Sequence, residues 1–277
     1  MKIRIVLRTS QAVNPHVVRP FGLNQKTLVL NCMESLFRSC ELVKNNVNIS
    51  IVDDSSPEDI RKEFLKLISK YNINAELIKI SAKSNSGSYL ACLDVLKKCK
   101  ENLFLLVEDD YLFAPESIPE ILDAYKDKIP GTKYFAIHPT DYPERYEKLY
   151  PSYIFLGRKR HWRTIKHSPG TFVIPKYCFK KYFSILYKFA KELNESSSLN
   201  KIWEEIPLIS PIPSLAAHLN DDTIPPFIDW EKYLNAKREK VKAPKRKLTK
   251  DNIKKIIKKF VIVIYKKILK KPFIRKI

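Results

Sequence analysis

Short apolar segments alternate with amphipathic segments over residues 3–107, and this alternation limits the possible fold more than any other feature of the chain. The patterns predict strands over 3–9, 48–52, 75–80 and 103–107, and helices over 26–44, 58–71 and 90–96. Four strands that alternate with helices favour a parallel, doubly wound α/β sheet. In such a sheet, ligands bind at the carboxyl ends of the strands.

The rest of the chain carries weaker signals. Tyr134–Ile137 has the pattern of a further strand, and Tyr177–Leu193 has that of a helix. The segment 194–230 contains five prolines, which remove backbone donors and interrupt helices. We therefore expect this segment to be extended and irregular, and not helical.

The net charge of +21 is concentrated at one end of the chain. Residues 237–277 contain 18 Lys and Arg but only two acidic residues, so the remaining residues are nearly neutral together. A charge run of this kind favours a polyanionic partner. We predict a globular domain over 1–236, a charged linker over 237–250 and a basic amphipathic helix over 251–277.

The predicted helix over 251–277 has isoleucine, valine and phenylalanine on one side of a helical wheel and lysines opposite. This pattern is typical of a helix that lies on an anionic membrane surface, where each lysine contributes about 1 kcal/mol. The helix could instead pack on the globular domain. We do not expect it to bind nucleic acid, because phosphate contacts do not require a continuous apolar face.

The sequence lacks several motifs that would mark a nucleotide-binding loop, a metal or disulfide site, a signal peptide or a membrane span. The five glycines are too dispersed to form a Walker A loop or a GxGxxG dinucleotide-binding loop. The five cysteines include no CxxC pair and indicate free thiols in a reducing compartment. The N-terminus does not resemble a signal peptide, and the apolar run 260–265 is far shorter than the ~20 residues of a bilayer span. We therefore expect a cytoplasmic protein, peripheral to the inner face of a membrane.

The strongest chemical signal is the run Glu108-Asp109-Asp110 directly after the apolar strand 103–107. Adjacent carboxylates raise one another's pKa unless a cation neutralises them. Mg²⁺ commonly takes one or two protein carboxylates and completes its shell with water and phosphate oxygens, which fits a nucleotide diphosphate. The alternative is a solvated acidic turn that precedes the next helix.

This run does not stand alone, because Asp53-Asp54 and Asn85-x-Gly87 precede it at the ends of predicted elements. The order of these motifs resembles the nucleotide-sugar half of GT-A-fold glycosyltransferases, particularly those similar to family 2. The resemblance extends from residue 3 to about residue 230. It implies a GT-A, Rossmann-like α/β fold, with a mostly parallel sheet flanked by helices.

The resemblance also implies roles for individual residues. The donor-binding positions are Thr9, Asp53, Asp54, Asn85, Glu108, Asp109 and Gly170. Asp110, the last acidic residue of the DxD-like motif, would hold Mn²⁺ or Mg²⁺ together with His218, while Glu108 replaces the usual first Asp. Gly170, which has no side chain, would let the backbone approach the donor sugar.

The catalytic base implied by the resemblance lies in Trp203-Glu204-Glu205, where inverting members carry an xED motif. Glu205 aligns with the final acidic position, and Glu204 is its rival. Such a base must lie within hydrogen-bond reach of the acceptor hydroxyl. An exposed helix end would account for the same residues.

The sequence thus predicts a metal-dependent, inverting hexosyltransferase that moves a sugar from a nucleotide diphosphate to a glycan or lipid-linked acceptor. A sugar nucleotidyltransferase would share the sheet and the carboxylates, but it normally needs a Gly-rich loop after the first strand, and Thr9-Ser10-Gln11-Ala12 is not one. The alternative outside the enzymes is a basic adaptor that binds membrane or nucleic acid through 237–277.

Overall fold

A computed structural model describes residues 1–10, 19–220 and 222–234, all within the unit Met1–Lys237. The strands are β1 (Ile3–Ser10), β2 (Val47–Asp54), β3 (Ala75–Ile80), β4 (Leu103–Glu108), β5 (Tyr111–Phe113), β6 (Ala136–Ile137), β7 (Ile154–Leu156), β8 (His161–Ile165), β9 (Phe172–Pro175), β10 (Leu208–Ile212) and β11 (Ala216–His218). The predicted linker over 237–250 and helix over 251–277 lie outside the described residues.

The helices in the same residues are α1 (Gln25–Cys40), α2 (Glu58–Tyr71), α3 (Asn85–Lys98), α4 (Ser117–Lys126), α5 (Glu144–Glu147), α6 (Lys176–Lys181), α7 (Phe183–Glu192) and α8 (Leu199–Glu205). Short 3-10 helices occur at Pro20–Gly22, Glu41–Asn46 and Trp230–Tyr233. None of the helices in these ranges is long and apolar enough to cross a bilayer.

Nine strands form one sheet in the order β3-β2-β1-β4-β9-β6-β10-β8-β7. The first four run parallel, as the alternation of strands and helices predicts. Strand β9 is antiparallel to both β4 and β6, and β8 is antiparallel to both β10 and β7. Seven of these nine strands therefore point the same way, which confirms the α/β class with a mostly parallel sheet.

Side chains that alternate along β1 and β4 build an apolar core on each face of the sheet. Ile5 and Leu105 pack on one face with α1, α2 and α4. Val6 and Phe104 pack on the other face with α3, α6, α7 and α8. Strands buried on both faces read as continuous apolar runs, which explains why β4 is so evident in the sequence.

Two sequence predictions need correction. The predicted helix Tyr177–Leu193 is divided at Tyr182, whose backbone is not helical. The segment 194–230 was expected to lack helix, yet it contains α8 as well as strands β10 and β11. That prediction was wrong because the prolines follow α8 and do not interrupt it: the helix ends before Pro207.

The second, two-stranded sheet pairs β5 with β11 in antiparallel register. Strand β5 begins two residues after β4 ends, so Asp109 and Asp110 form the turn between the two sheets. Helix α1 holds β5 in place, because the backbone N–H of Phe113 donates to the buried Ser35 hydroxyl at 2.9 Å. This contact fixes the turn that carries the acidic residues.

We expect Ser35→Ala to lower the free energy of unfolding by about 1–3 kcal/mol, because it leaves the buried N–H of Phe113 without an acceptor. Urea unfolding followed by circular dichroism measures the change. Ser39→Ala is the matched control, since the Ser39 hydroxyl is equally buried but donates only within α1, to the Leu36 carbonyl. Equal losses in the two variants would contradict the assigned role of Ser35.

Candidate active site

The register of the parallel strands brings the predicted polar residues to one edge of the sheet. Thr9 lies opposite Asp53 and Ser10 opposite Asp54 in the β1–β2 pair. Arg8 lies opposite Glu108 in the β1–β4 pair. The carboxyl ends of three adjacent strands therefore meet where the α/β topology places ligands.

The three consecutive carboxylates at the end of β4 each have a different partner. The Arg8 guanidinium donates to Glu108 at 2.7 Å. The Ser10 backbone N–H donates to Asp109 at 2.9 Å. Asp110 accepts from Arg19 at 3.0 Å, from a position far earlier in the chain. The acidic turn is thus held by groups from β1 and from the segment that precedes α1, and is not simply solvated.

The pairing of β5 with β11 brings His218 to Asp110. His218 lies directly opposite Tyr111, and the two rings stack with centroids 4.8 Å apart. The His218 Nε2 atom lies 3.3 Å from Asp110 Oδ2. Burial disfavours the charged form of both side chains, but the attraction between them outweighs it. Asp110 therefore raises the pKa of His218. His218 and Arg19 together lower the pKa of Asp110 to about 2.

Asp110 and His218 suit a divalent cation that substrate phosphates would help to bind. The Asp110 Oδ1 atom is buried and has no hydrogen-bond partner, so a lone pair is available there. Across residues 1–10, 19–220 and 222–234 there is no cluster of three or more His, Cys, Asp or Glu arranged for a metal. A carboxylate and an imidazole would therefore supply two ligands, and water and phosphate oxygens the others.

The pKa of Asp109 is shifted in the opposite direction to that of its neighbour. Burial and the adjacent Asp110 carboxylate raise it to about 7, although the Ser10 N–H favours the ionised form. Two neighbouring carboxylates with pKa values on opposite sides of the normal value indicate that only one carries charge in the acid range.

The predicted donor-binding residues on β1 and β2 lie at this edge of the sheet, where their side chains form hydrogen bonds and an ion pair within the protein. Asp53 is fully buried, accepts from the Thr9 hydroxyl at 3.0 Å, and pairs with Arg61 at 2.6 Å. Asp54 accepts from the backbone N–H groups of Ala82 and Lys83 at 3.0 and 3.1 Å. Their donor-binding roles stay predictions.

Arg8 is a central residue of the site that the sequence did not single out. Its guanidinium donates to Asn85 at 3.2 Å and to Ser88 at 3.1 Å, and it lies 4.8 Å above the Tyr89 ring. One cation therefore connects the predicted donor residue Asn85 with Glu108. The sequence carried one signal for this role, because Arg8 is a charged residue within the predicted strand 3–9.

Gly170 faces protein in this structure. A Cβ at that position would lie 1.6 Å from the Tyr89 hydroxyl oxygen, so the absence of a side chain leaves room for Tyr89. Tyr89 in turn packs edge-to-face on Phe189 of α7. Close packing against α3 thus accounts for the glycine, and its contact with a donor sugar stays a prediction.

Glu205 lies at the exposed end of α8. Among the described residues, no hydrogen bond or ion pair joins its carboxylate to the acidic turn. Its carboxylate accepts from Lys181 and from the Tyr182 hydroxyl, both at 2.9 Å. These hydrogen bonds lower its pKa, which weakens it as a base. Glu204 is also exposed. The catalytic roles of Glu204 and Glu205 stay predictions.

Glu195, which lies between the end of α7 at Glu192 and the start of α8 at Leu199, is a carboxylate that the sequence did not single out. It lies at the turn that leads into α8 and is half-buried. Burial and the nearby charge of Glu108 raise its pKa, while His167 and His218 act in the opposite direction. Glu195 therefore lies within electrostatic range of Glu108 and His218, although in the described part of the chain no hydrogen bond joins its carboxylate to them. The run Glu195-Ser196-Ser197-Ser198 falls in the segment 194–230, which was expected to be irregular, although serine and acidic residues commonly begin helices.

The family assignment agrees with this geometry. The model of glycosyl transferase family 2 matches residues 23–183, more than half of the chain. The chain belongs to glycosyl transferase family 2. This match confirms the resemblance seen in the acidic motifs.

Solved structures similar to this family 2 member include the following three. S. aureus TarS 1–349 with UDP-GlcNAc is 13% identical with a TM-score of 0.42, over 69% of this chain and 54% of that chain. The Pyrobaculum calidifontis mannosyltransferase PcManGT with GDP-Man and Mn²⁺ is 9% identical with a TM-score of 0.43, over 65% and 46%. Apo GlyE of Streptococcus pneumoniae TIGR4 is 13% identical with a TM-score of 0.43, over 76% and 45%.

The family 2 glycosyltransferase described here spans about half the length of these three solved chains. No curated protein matches its sequence.

We expect Asp109→Asn to stabilise the protein increasingly as the pH rises from about 4 to 7. The folded state keeps the Asp109 proton up to a pKa of about 7, whereas the unfolded chain releases it near pH 4, so ionisation favours unfolding in that range. Asparagine keeps an acceptor for the Ser10 N–H. Because the carboxylate is part-exposed, the gain at pH 8 should be about 2 kcal/mol, measured by urea unfolding in EDTA. A gain that is constant from pH 4 to 8 would contradict the shifted pKa.

Proposed function

We propose that the protein transfers a sugar from a nucleotide-diphosphate donor to a hydroxyl of a glycan or lipid-linked acceptor, with inversion at the anomeric carbon. The observation that carries this proposal is the pairing of Asp110 with His218 at the carboxyl end of β4, in a chain that belongs to glycosyl transferase family 2. The proposal assigns the donor diphosphate to this edge and takes the acceptor base to be Glu195, which lies within electrostatic range of Glu108 and His218.

In this proposal, Asp110 and His218 hold Mn²⁺ or Mg²⁺. When bound there, the cation would supply positive charge to stabilise the departing diphosphate. Asp110 is suited to this because it stays ionised across the working pH range, as its depressed pKa implies. Arg8 and Arg19 provide further positive charge within the same edge of the sheet.

We assign proton removal to Glu195 in preference to Glu205. Its carboxylate takes the proton of the acceptor hydroxyl as that oxygen attacks the anomeric carbon. The bond between this carbon and the diphosphate oxygen breaks, and the nucleoside diphosphate leaves with the electron pair. A raised pKa suits a general base near neutral pH, whereas Glu205 is held by Lys181 and Tyr182 away from these groups.

The membrane assignment of the basic tail stays a prediction, because residues 251–277 lie outside the described part of the chain. The same holds for a cytoplasmic location at the inner face of a membrane. The acceptor class rests on the proposed hydroxyl chemistry alone.

We expect Glu195→Gln to lower the turnover number by about 10²–10⁴-fold, because the amide cannot take the acceptor proton. The substrate is the nucleotide sugar that, with Mn²⁺ present, most raises the melting temperature of the protein. The reaction is then followed as hydrolysis of that nucleotide sugar. Glu205→Gln is the matched control and should change turnover by less than about threefold, as its carboxylate is exposed. The wild-type rate should also fall as pH drops through the pKa of Glu195, and the variant should lose that limb. A large loss of turnover in Glu205→Gln, without one in Glu195→Gln, would identify Glu205 as the general base.

We expect Asp110→Asn to abolish the rise in melting temperature that Mn²⁺ produces in the wild type, since one of two protein ligands loses its charge. Donor hydrolysis should fall at least about 100-fold in this variant and in wild type treated with EDTA. Asp123→Asn on α4 is the control, because its carboxylate pairs with Lys126 and, among the described residues, forms no hydrogen bond or ion pair with Asp110 or His218. Full activity in both EDTA and Asp110→Asn would exclude a metal role.

A further inference from the structure

The imidazole of His218 has a second nitrogen that the proposed cation site does not use. Its Nε2 atom faces Asp110, whereas its Nδ1 atom lies 3.4 Å from the hydroxyl oxygen of Tyr142. An imidazole that binds a cation through Nε2 is neutral and keeps its proton on Nδ1. That N–H needs an acceptor, and the Tyr142 hydroxyl oxygen lies within hydrogen-bond distance of it.

Stacking on Tyr111 does not by itself fix which way the His218 ring is turned. The planes of the two rings are nearly parallel, with an angle of 6° between them. Rotation of the imidazole by 180° about its Cβ–Cγ bond would keep this stack but exchange each nitrogen for a carbon. A carbon atom would then face both Asp110 and Tyr142. The hydroxyl contact therefore favours the orientation that presents Nε2 to the carboxylate.

The hydroxyl of Tyr142 is itself held by a second tyrosine. Its oxygen lies 3.0 Å from the hydroxyl oxygen of Tyr111. When the Tyr142 oxygen accepts from Nδ1 of His218, its own hydrogen can be donated to the Tyr111 oxygen. Tyr111 thus contacts His218 directly through its ring and indirectly through Tyr142. A continuous chain of hydrogen bonds of this kind assigns a donor and an acceptor to each step.

The backbone that leads to Tyr142 is joined to the strand that carries His218. The Pro139 carbonyl accepts from the backbone N–H groups of Leu215 and Ala216, each at 3.0 Å. Ala216 begins β11, and His218 ends it. The hydroxyl and the imidazole are therefore attached to two backbone segments that hydrogen bonds hold together, a few residues from each side chain.

A buried ion pair contacts the ring of Tyr142. The Arg145 guanidinium pairs with Asp141 at 3.1 Å and lies 5.1 Å from the centroid of the Tyr142 ring. The buried ring of His138 packs edge-to-face on Tyr142, with centroids 5.2 Å apart. Neither member of a buried ion pair moves away easily, because an unpaired buried charge is strongly unfavourable. The surroundings of Tyr142 therefore restrict where its hydroxyl can lie.

We propose that Tyr142 is a positioning residue for His218: its hydroxyl oxygen accepts the Nδ1–H and thereby directs Nε2 towards the cation that Asp110 and His218 would hold. This inference rests on the proposed function, because it concerns the same cation site. It adds no ligand to that site, since Tyr142 acts through the ring of His218. Loss of the acceptor for the second N–H of a metal-binding histidine typically weakens metal binding by about 10–100-fold.

The test is the dissociation constant of Mn²⁺ for the full chain, measured by electron paramagnetic resonance of the free ion with no donor or acceptor present. The variant is Tyr142→Phe, which removes only the hydroxyl. The matched control is Tyr125→Phe, which removes a buried tyrosine hydroxyl that donates to the carbonyls of Phe135 and Val173. Both changes are repeated in a His218→Phe background, which keeps an aromatic ring and loses both nitrogens. Melting in EDTA, followed by circular dichroism, checks that each variant is folded.

We expect Tyr142→Phe to raise the Mn²⁺ dissociation constant about tenfold in the otherwise wild-type chain. In the His218→Phe background the same change should have less than about a twofold effect, because the hydroxyl acts through the imidazole. Tyr125→Phe should change the dissociation constant by less than about twofold in both backgrounds.

An unchanged dissociation constant in Tyr142→Phe would overturn the proposal. A loss of equal size in both backgrounds would also overturn it, since the hydroxyl would then act on the fold or on Asp110 and not on His218. Both of these results would leave the cation site of the proposed function intact. If the wild type does not bind Mn²⁺, the metal role in the proposed function is wrong, and this inference falls with it.

Discussion

The structure around the end of β4 depends on the cost of placing three carboxylates in sequence after a buried strand. Left alone, Glu108, Asp109 and Asp110 would repel one another in poorly solvated surroundings. Each is stabilised differently: the first pairs with Arg8, the second takes a backbone N–H and holds its proton to about pH 7, and the third lies between Arg19 and His218. The electrostatics of this turn therefore require elements that are distant in the chain to meet.

The same interactions connect the fold with the proposed chemistry. The β5–β11 pair brings His218 to Asp110, and α1 holds β5 through Ser35. Packing away from the sheet edge therefore influences the separation of His218 Nε2 and Asp110 Oδ2. Glu195, the proposed base, lies in the turn before α8, whose apolar residues pack on the opposite face of the sheet from α1. The proposed chemistry therefore depends on packing on both faces of the sheet.

The sequence predicted the first half of the fold well because each strand and helix there carries its own apolar period. Ala75–Ile80 matches the predicted strand at both ends. The site was predicted where acidic residues follow such strands, and less well where position depends on tertiary packing. Helix α8 was not predicted because the prolines of 194–230 favour irregular structure, yet they all follow the helix. The position of Glu195 depends on where that helix packs. Gly170 has a neighbour, Tyr89, that only the packing of α3 reveals.

The turn between β4 and β5 has a consequence for how this chain can vary in length. Only Asp109 and Asp110 separate a strand of the large sheet from a strand of the small one. Because side chains alternate along a strand, one inserted or deleted residue would reverse the faces of β5 and turn Tyr111 away from the ring of His218. A change in the spacing from Val107 to Tyr111 would therefore separate the ring of Tyr111 from that of His218.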